Sequence, residues 1–257
     1  MEANTLNIAL IQSHLLWENP KANRKVFSEK ISKISKETDL IILPEMFTTG
    51  FTMNPEHIDK TESSKTLDWL KNEAVKNSAA IIGSTVYEEK SCFYNRLFFV
   101  SPKGEVEHYD KKHTFTLAGE DKVYKAGKKK LIVAYKGFKI CPLICYDLRF
   151  PVWARNVEDY DILLYVANWP KPRIEAWDTL LKARAIENMS YCIGVNRIGL
   201  DGLGYEYTGH SSVYDVLGKQ LAFSNKEELM EVSLSKKHIR LHREKLKFLQ
   251  DKDTFSF

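Results

Sequence analysis

Apolar runs alternate with amphipathic segments in the first third of the chain. Residues 6–12 (LNIALIQ) and 39–43 (DLIIL) have the continuous apolar character of buried strands. Asn19 and Pro20 supply an N-cap and a first helical residue for a helix after the first strand. A second helix is indicated by helical spacing of Leu67, Leu70 and Ala74. This part of the chain is therefore predicted to form two β-α units.

Beyond residue 78 the pattern predicts more strands, several of them paired as hairpins. They are predicted at 79–86, 95–100, 105–109, 131–135, 139–145, 161–167, 191–195, 211–216 and 229–234, the last two joined through Gly218. Helices are predicted from about Pro151, over 174–190 and in the C-terminal tail at about 236–257. Strand-helix alternation interrupted by hairpins predicts one layered α/β domain over 1–257, with a mixed sheet or two packed sheets covered by helices.

The amino-acid composition is ordinary for a soluble globular protein. Of the 257 residues, 44% are hydrophobic and 28% are charged, and 38 basic against 34 acidic residues give a net charge of +4. Basic and acidic residues are interspersed, which argues against nucleic-acid binding. The N-terminus lacks the features of a secretory signal, and no apolar stretch has transmembrane length. We expect a cytoplasmic protein that binds neither nucleic acid nor membrane.

The cysteines are too few for a disulfide framework: Cys92, Cys141, Cys145 and Cys192. Cys141 and Cys145 share one face of a predicted strand, where they would lie roughly 13 Å apart at about 3.3 Å per residue, too far for a disulfide. The neighbouring His108 and His113 do not complete a zinc-ligand spacing, so no metal site is expected. Cys92, Cys141 and Cys192 are interpreted as small core residues.

Cys145 differs because it ends an apolar strand and is followed by a polar turn that runs into a predicted helix at Pro151. A nucleophile at such a turn is held out from the sheet beside free backbone N–H groups, which suits attack on a carbonyl. Many residues end strands, however, and position alone leaves a structural role open. Glu45 likewise follows an apolar strand, at the sheet edge where α/β folds build sites.

Several segments resemble motifs of the nitrilase superfamily, the carbon-nitrogen hydrolases, in the order of that family. They are LPEMF at 43–47, YDKKHTF at 109–115, AGED at 118–121, ICYDLRFP at 144–151, ANWP at 167–170 and ARAIEN at 183–188. The resemblance extends from about residue 6 to 234. It implies the α-β-β-α sandwich of that superfamily, paired at least into homodimers, and an enzyme without a cofactor.

The resemblance also implies a catalytic set. Cys145 would be the nucleophile that forms a thioester, and Glu45 the general base and acid. Lys111 would hold the oxyanion together with the backbone N–H of Tyr146, and Glu120 would position Lys111. Taken singly, each of these charged residues also has an ordinary structural interpretation.

The residues of the nucleophile motif, ICYDLRFP, are most similar to those of the ω-amidase branch, whose members act on 2-oxoglutaramate and 2-oxosuccinamate. Nitrilases proper carry Trp-Glu after the cysteine, and N-carbamoyl amino acid hydrolases carry two adjacent arginines, the first of which is Leu148 here. Arg173 is the candidate partner of a substrate carboxylate, and Arg149 is interpreted as a structural ion-pair residue. The remaining substrate-binding candidates are Phe115, Asn168 and Trp169.

Two alternatives remain open at this stage. Another small-amide hydrolase, such as an aliphatic or a deaminated-glutathione amidase, would use the same catalytic set. A catalytically silent family member that binds a partner would not need it. Phe47, Phe115, Trp169 and Trp177 are candidates for a pocket wall, although packing in the core is the commoner role of such residues.

Overall fold

Two six-stranded sheets and the helices that cover them make up the fold, which a computed structural model describes over residues 5–255. The first sheet has the order β14-β1-β2-β3-β4-β5 and contains β1 (Thr5–Gln12), β2 (Leu40–Ile42), β3 (Ala80–Glu89), β4 (Cys92–Val100), β5 (Val106–Asp110) and β14 (Glu228–Ser235). The strands β1, β2 and β3 are parallel, and β3, β4 and β5 form an antiparallel meander.

The second sheet has the order β13-β12-β9-β8-β7-β6, with β7, β8 and β9 parallel. It contains β6 (Val133–Tyr135), β7 (Phe138–Ile144), β8 (Ile162–Ala167), β9 (Tyr191–Asn196), β12 (Ser211–Tyr214) and β13 (Gln220–Ser224). A separate hairpin consists of β10 (Ile198–Leu200) and β11 (Glu206–Thr208). The helices are α1 (Pro20–Ile31), α2 (Glu62–Asn77), α3 (Glu120–Val123), α4 (Pro151–Ala154), α5 (Ile174–Asn188) and α6 (Lys236–Leu246).

The alternation of side chains along each strand builds the layers. In β2, Leu40 and Ile42 belong to the core between the two sheets, whereas Ile41 belongs to the core under α1 and α2. On the far side, Trp177 and Leu181 of α5 pack into the core of the second sheet. The predicted α-β-β-α sandwich is confirmed.

The start of α1 follows the predicted capping. Pro20 is the first helical residue, and the Asn19 side chain accepts a hydrogen bond from Ala22 N. The two predicted β-α units are therefore confirmed, and they place the end of β2 against the other sheet.

Some predicted boundaries were wrong. β7 ends at Ile144, because Cys145 has a φ of +41° and begins a 3-10 turn, so Cys145 no longer follows the strand alternation that would place it on the face of Cys141. The helix at Pro151 spans only four residues. Gly218 does not join 211–216 to 229–234: it lies in the turn between β12 and the unpredicted β13.

The C-terminal part crosses back to the first sheet. β14 pairs antiparallel with β1 along its whole length, a contact between the two ends of the chain. The predicted helical tail is helical over Lys236–Leu246, continues as a 3-10 turn at Phe248–Asp251, and ends in residues 256–257, outside the described part. Within residues 5–255, no helix combines the length and the apolar character needed to cross a membrane.

Candidate active site

The ends of strands from both sheets meet at one place and carry the predicted catalytic residues. Glu45 follows β2, Lys111 follows β5 directly, and Cys145 follows β7. Glu120 is the first residue of α3, which lies after the loop that leaves β5. The carboxyl ends of β2, β5 and β7 therefore form the site, and of these β2 and β7 belong to the parallel parts of their sheets, where α/β folds commonly build sites.

The nucleophile turn has a strained backbone. Cys145 has a φ of +41°, a region that costs a residue with a side chain on the order of 1–3 kcal/mol. The turn is braced by the buried carboxylate of Asp147, which accepts the backbone N–H of Ile144 at 3.0 Å. Because Cys145 opens a 3-10 turn, the N–H groups at its start, including that of Tyr146, lack partners within the turn.

Lys111 lies between two carboxylates in the interior. Its Nζ is 2.9 Å from Glu45 Oε1, 2.9 Å from Glu120 Oε2 and 3.1 Å from Glu120 Oε1. Glu45 and Glu120 are 0% exposed and Lys111 is 1% exposed. An ammonium group has three protons, so one N–H remains after each carboxylate has accepted one.

Glu45 is held close to the thiol. Its Oε2 accepts the backbone N–H of Asn168 at 2.7 Å, and its backbone carbonyl accepts the Asn168 side-chain amide at 2.7 Å. The Cys145 thiol donates to the Asn168 carbonyl oxygen at 3.9 Å, and Glu45 is near enough for its charge to help raise the pKa of the thiol. A carboxylate beside a thiol is suited to take its proton.

Burial and neighbouring charges determine which of these groups are charged. Burial alone would lower the pKa of Lys111, but the charges of Glu120 and Glu45 outweigh it and raise the pKa above 10.5. Burial, helped by the charge of Glu45, raises the pKa of the Cys145 thiol well above 9.0. Burial also raises the pKa of Glu120, against the effect of Lys111. At neutral pH, Lys111 is therefore an ammonium group and Cys145 a thiol.

A cavity of about 230 Å³ opens onto this cluster. Lys111, Cys145 and Asn168 lie at its polar end, and the wall also includes Arg149 and Arg173. The remaining lining residues are Phe51, Met53, Phe115, Leu117, Ala118, Tyr146, Trp169, Pro170, Asp201, Leu203, Tyr205 and Tyr207. The cavity therefore combines largely apolar walls with three cationic side chains and one carboxylate, that of Asp201, as small-molecule sites commonly combine apolar walls with a few polar groups.

Comparison with known proteins agrees with this geometry. The carbon-nitrogen hydrolase family model matches residues 7–243. The chain belongs to the carbon-nitrogen hydrolase family. The chain is 42% identical to the omega-amidase YafV of Escherichia coli K12, over 97% of this chain and 98% of that protein, and 34% identical to the 2-oxoglutaramate amidase of Bacillus subtilis, over 86% and 87%.

A solved structure is also similar along its whole length. The CN-hydrolase superfamily protein of Xanthomonas campestris, which carries an arsenic adduct in its active site, is 39% identical with a TM-score of 0.95, over 98% of this chain and 99% of that one. The chain is thus an amide-hydrolysing enzyme with the fold of this superfamily.

In this carbon-nitrogen hydrolase, some of the residues predicted to form the pocket wall line the cavity and others are buried in the core. Phe115 and Trp169 line the cavity, as does Tyr146. Phe47 packs in the core against Phe27, and Trp177 is fully buried behind Trp169. For these last two aromatics, the core interpretation was the right one.

The interpretation of Arg149 as a structural ion-pair residue was wrong. Within residues 5–255 neither Arg149 nor Arg173 has an acidic side chain within 4.0 Å. The Arg149 guanidinium lies 5.0 Å from the centre of the Trp169 ring, and that of Arg173 lies 5.2 Å from the Phe115 ring. The turn after Cys145 directs Arg149 into the cavity wall, which its position in the sequence did not reveal.

Two parts of the site were not predicted. Asn95, on β4, donates its Nδ2 to Glu45 Oε1 at 2.7 Å and to Glu120 Oε1 at 3.2 Å. The hairpin of β10 and β11 contributes Tyr205 and Tyr207 to the cavity. The only signal for Asn95 was an amide at the start of an apolar strand, where a buried polar group needs a partner.

All four cysteines have free thiols. Within the described residues, no group of three or more His, Cys, Asp or Glu side chains is arranged to hold a metal ion.

Proposed function

We propose that this enzyme hydrolyses the terminal amide of a small keto-acid amide, 2-oxoglutaramate or 2-oxosuccinamate, to the carboxylate and ammonia. The observation that carries the proposal is the cavity, which is lined by the Cys145 thiol, by the Lys111 ammonium that contacts the Glu45 carboxylate, and by two arginines without an acidic partner in residues 5–255. The relatives named omega-amidase and 2-oxoglutaramate amidase support this substrate class.

In the first half of the reaction, Glu45 takes the Cys145 proton while the sulfur attacks the amide carbon. The carbonyl oxygen becomes an oxyanion, stabilised by the remaining N–H of Lys111 and the backbone N–H of Tyr146. Glu45 then returns the proton to the amide nitrogen, the C–N bond breaks, and ammonia leaves a thioester on Cys145. Glu120 keeps Lys111 charged and in place.

In the second half, water replaces ammonia next to Glu45. Glu45 takes a proton from this water as the oxygen attacks the thioester carbon, and the same donors hold the second oxyanion. The C–S bond breaks, Cys145 recovers its proton from Glu45, and the acid product leaves. Lys111 stays an ammonium group throughout, which its raised pKa supports.

The far end of the substrate needs a cationic partner. Arg173, and with it Arg149, is proposed to bind the keto-acid carboxylate, since a guanidinium gives a bidentate grip. Phe115 and Trp169 lie under these guanidinium groups and restrict their orientation. Asn168 Oδ1 is buried without a partner in the described chain and is proposed to accept an N–H of the substrate amide.

The protein is further proposed to be a homodimer that acts in the cytoplasm. Ile186 near the end of α5 packs close to Gly218 in the β12–β13 turn, and Ile186 and the neighbouring Leu217 are about half exposed, which supports burial against a second copy. Free thiols, including the nucleophile, support a reducing compartment. Light scattering should give twice the 29.7 kDa chain mass, and a monomer at micromolar concentration would contradict the dimer.

The test is ammonia release by the purified protein from a substrate panel. The panel contains 2-oxoglutaramate, 2-oxosuccinamate, glutamine, propionamide and a nitrile, each also tested with Cys145→Ala. We expect the two keto-acid amides to have the highest kcat/KM and the variant to have none. A preference for propionamide would replace the proposal with an aliphatic amidase, and no turnover of any amide would reject the mechanism.

A further inference from the structure

A closed ring of hydrogen bonds connects the backbone next to Glu45 with the Glu45 carboxylate. Met46 N donates to Ser84 Oγ at 2.9 Å, Ser84 Oγ donates to Asn95 Oδ1 at 2.9 Å, and Asn95 Nδ2 donates to Glu45 Oε1 at 2.7 Å. The ring passes through β3 and β4 before it returns to the residue preceding Met46. It therefore fixes the side chain of Glu45 relative to its own backbone.

The ring leaves only one orientation for the Asn95 amide. The flipped amide would place Asn95 Oδ1 against the oxygens of two carboxylates and leave those contacts without a donor, so Oδ1 faces the Ser84 hydroxyl and accepts its proton. The Nδ2 group then faces the carboxylates, with one proton for Glu45 and one for Glu120. The backbone of Asn95 is held as well, because its carbonyl accepts Lys111 N at 3.0 Å.

The residues that form this ring are buried, so each of its hydrogen bonds is costly to lose. Ser84 is 0% exposed and Asn95 is 1% exposed, so no solvent replaces a lost partner. Two carboxylates share the Asn95 amide, which donates to Glu45 Oε1 at 2.7 Å and to Glu120 Oε1 at 3.2 Å. Asn95 is not among the residues that line the cavity within the described chain, so it acts on the reaction through Glu45.

We propose that Asn95, oriented by Ser84, is a positioning residue that holds Glu45 as the base next to Cys145. The inference rests on the proposed role of Glu45. It assigns Asn95 to the chemical steps and not to substrate binding. Loss of its Nδ2 donor removes one of the hydrogen bonds that hold Glu45, leaves those from Lys111 and Asn168, and takes away the amide shared with Glu120, so the position of the base is less well defined.

The first measurement is steady-state kinetics of Asn95→Leu on the best amide of the panel. We expect kcat to fall by about 100-fold, at the lower end of what a positioned acid-base group contributes, with KM near the wild-type value. Ser84→Ala should lower kcat in the same direction by about tenfold, the effect of roughly one hydrogen bond. Ser190→Ala is the matched control, because Ser190 is equally buried and its hydroxyl has no partner in residues 5–255.

The second measurement uses Asn95→Asp, which has the shape of the native residue. When ionised, the introduced carboxylate adds a third negative charge, whereas its protonated form offers one O–H to Glu45 in place of the lost donor. The ratio of the kcat of this variant to that of the wild type should therefore rise as the pH is lowered. The same ratio for Asn95→Leu should not rise, because leucine offers no donor at any pH.

The third measurement does not need a substrate. Iodoacetamide alkylates Cys145 when the thiol proton passes to Glu45, the sulfur bonds to carbon and iodide leaves, and mass spectrometry of the Cys145 peptide gives the rate. Both Asn95 variants should slow this alkylation, and Ser190→Ala should not. If the wild type ignores keto-acid amides but Asn95 variants slow alkylation, the proposed substrate is wrong while the inference stands.

Opposite results would overturn the inference. One such result is a folded Asn95→Leu variant whose kcat and alkylation rate equal those of the wild type. Another is a kcat ratio of Asn95→Asp to wild type that does not change with pH. A third is an Asn95 variant whose KM rises while its kcat stays the same. Thermal unfolding of each variant identifies those that fail to fold. If Asn95→Leu is one of them, Asn95→Asp and Ser84→Ala decide the question.

Discussion

The Tyr109 hydroxyl donates a 2.8 Å hydrogen bond to Asp147, and this contact joins the strand that leads to Lys111 with the turn that carries Cys145. Asp147 also accepts the backbone N–H of His113 at 3.0 Å and lies 2.8 Å from His113 Nδ1. Tyr109 and His113 flank Lys111 at two residues on either side. The oxyanion donor and the nucleophile are thus fixed to the same buried carboxylate.

We predict that Asp147→Asn lowers both activity and stability. The amide has one acceptor oxygen where the carboxylate has two, so buried donors lose their partners at a cost of about 1–3 kcal/mol in unfolding free energy. The separation of Lys111 and Cys145 is then less well defined, and kcat should fall by at least about tenfold. Urea unfolding and steady-state kinetics give the two values.

The control is Asp215→Asn. Asp215 is also buried in a turn, where it accepts the N–H groups of Leu217 and Lys219, but it does not line the cavity in the described chain. Asparagine keeps the oxygen that accepts these two N–H groups but loses the contact of Oδ2 with His238 Nε2 at 3.3 Å, so this variant should lose some stability and keep its kcat. If Asp147→Asn kept full kcat, the connection between the two loops would have no catalytic role.

The two cavity arginines are predicted to act on charged substrates only. Arg173→Ala and Arg149→Ala should each lower kcat/KM for keto-acid amides by about 10- to 100-fold, the value of a hydrogen bond to a charged group, mainly through KM. Propionamide has no carboxylate, so its kcat/KM should barely change. Initial rates over a range of both substrates measure the contrast.

Lys171→Ala is the matched charge control for these variants. Lys171 lies close to Arg173 in the chain but is exposed, pairs with Glu206 at 2.8 Å and does not line the cavity in residues 5–255. It should behave as the wild type. Equal losses on both substrates for an arginine variant would mean that the arginine supports the wall rather than the carboxylate.

The strand ends could be predicted from the sequence because local pattern determines them. Glu45 and Cys145 follow apolar runs long enough to be buried strands, and the motifs around them resemble those of one family. Contacts between distant strands were beyond such reasoning. Asn95 becomes functional only because β3 and β4 bring Ser84 and both carboxylates to it.

Some short strands were not predicted from the sequence, for a different reason. The strands β10 and β13 have three and five residues, and neither has a clear alternation of buried and exposed positions. Arg149 depends on the course of a turn with positive φ at Cys145, which a single sequence does not specify. For these reasons the sequence predicted neither the part of the cavity wall formed by the β10–β11 hairpin nor the position of Arg149 in that wall.

The protonation of the nucleophile gives a prediction about pH. Because burial and the charge of Glu45 raise the pKa of Cys145 above 9.0, the resting enzyme holds a thiol up to at least that pH. The difference in absorbance at 240 nm between the wild type and Cys145→Ser should therefore show no thiolate below about pH 9. A rise in thiolate absorbance with a midpoint near or below pH 7 would contradict this. It would mean that the charge of Lys111 has a larger effect on the pKa of the Cys145 thiol than the charge of Glu45.

The base itself provides the last prediction. Glu45 accepts from Lys111, Asn95 and Asn168, and a glutamine in its place has one acceptor oxygen for these donors and cannot take the thiol proton. Glu45→Gln should lower kcat by about 10²- to 10⁴-fold, and Cys145→Ala should abolish ammonia release. An acid quench during turnover should show the acyl mass on the Cys145 peptide of the wild type and not of Cys145→Ala. More than a few per cent of wild-type turnover in folded Cys145→Ala would contradict the thioester, because no other thiol lines the cavity in residues 5–255.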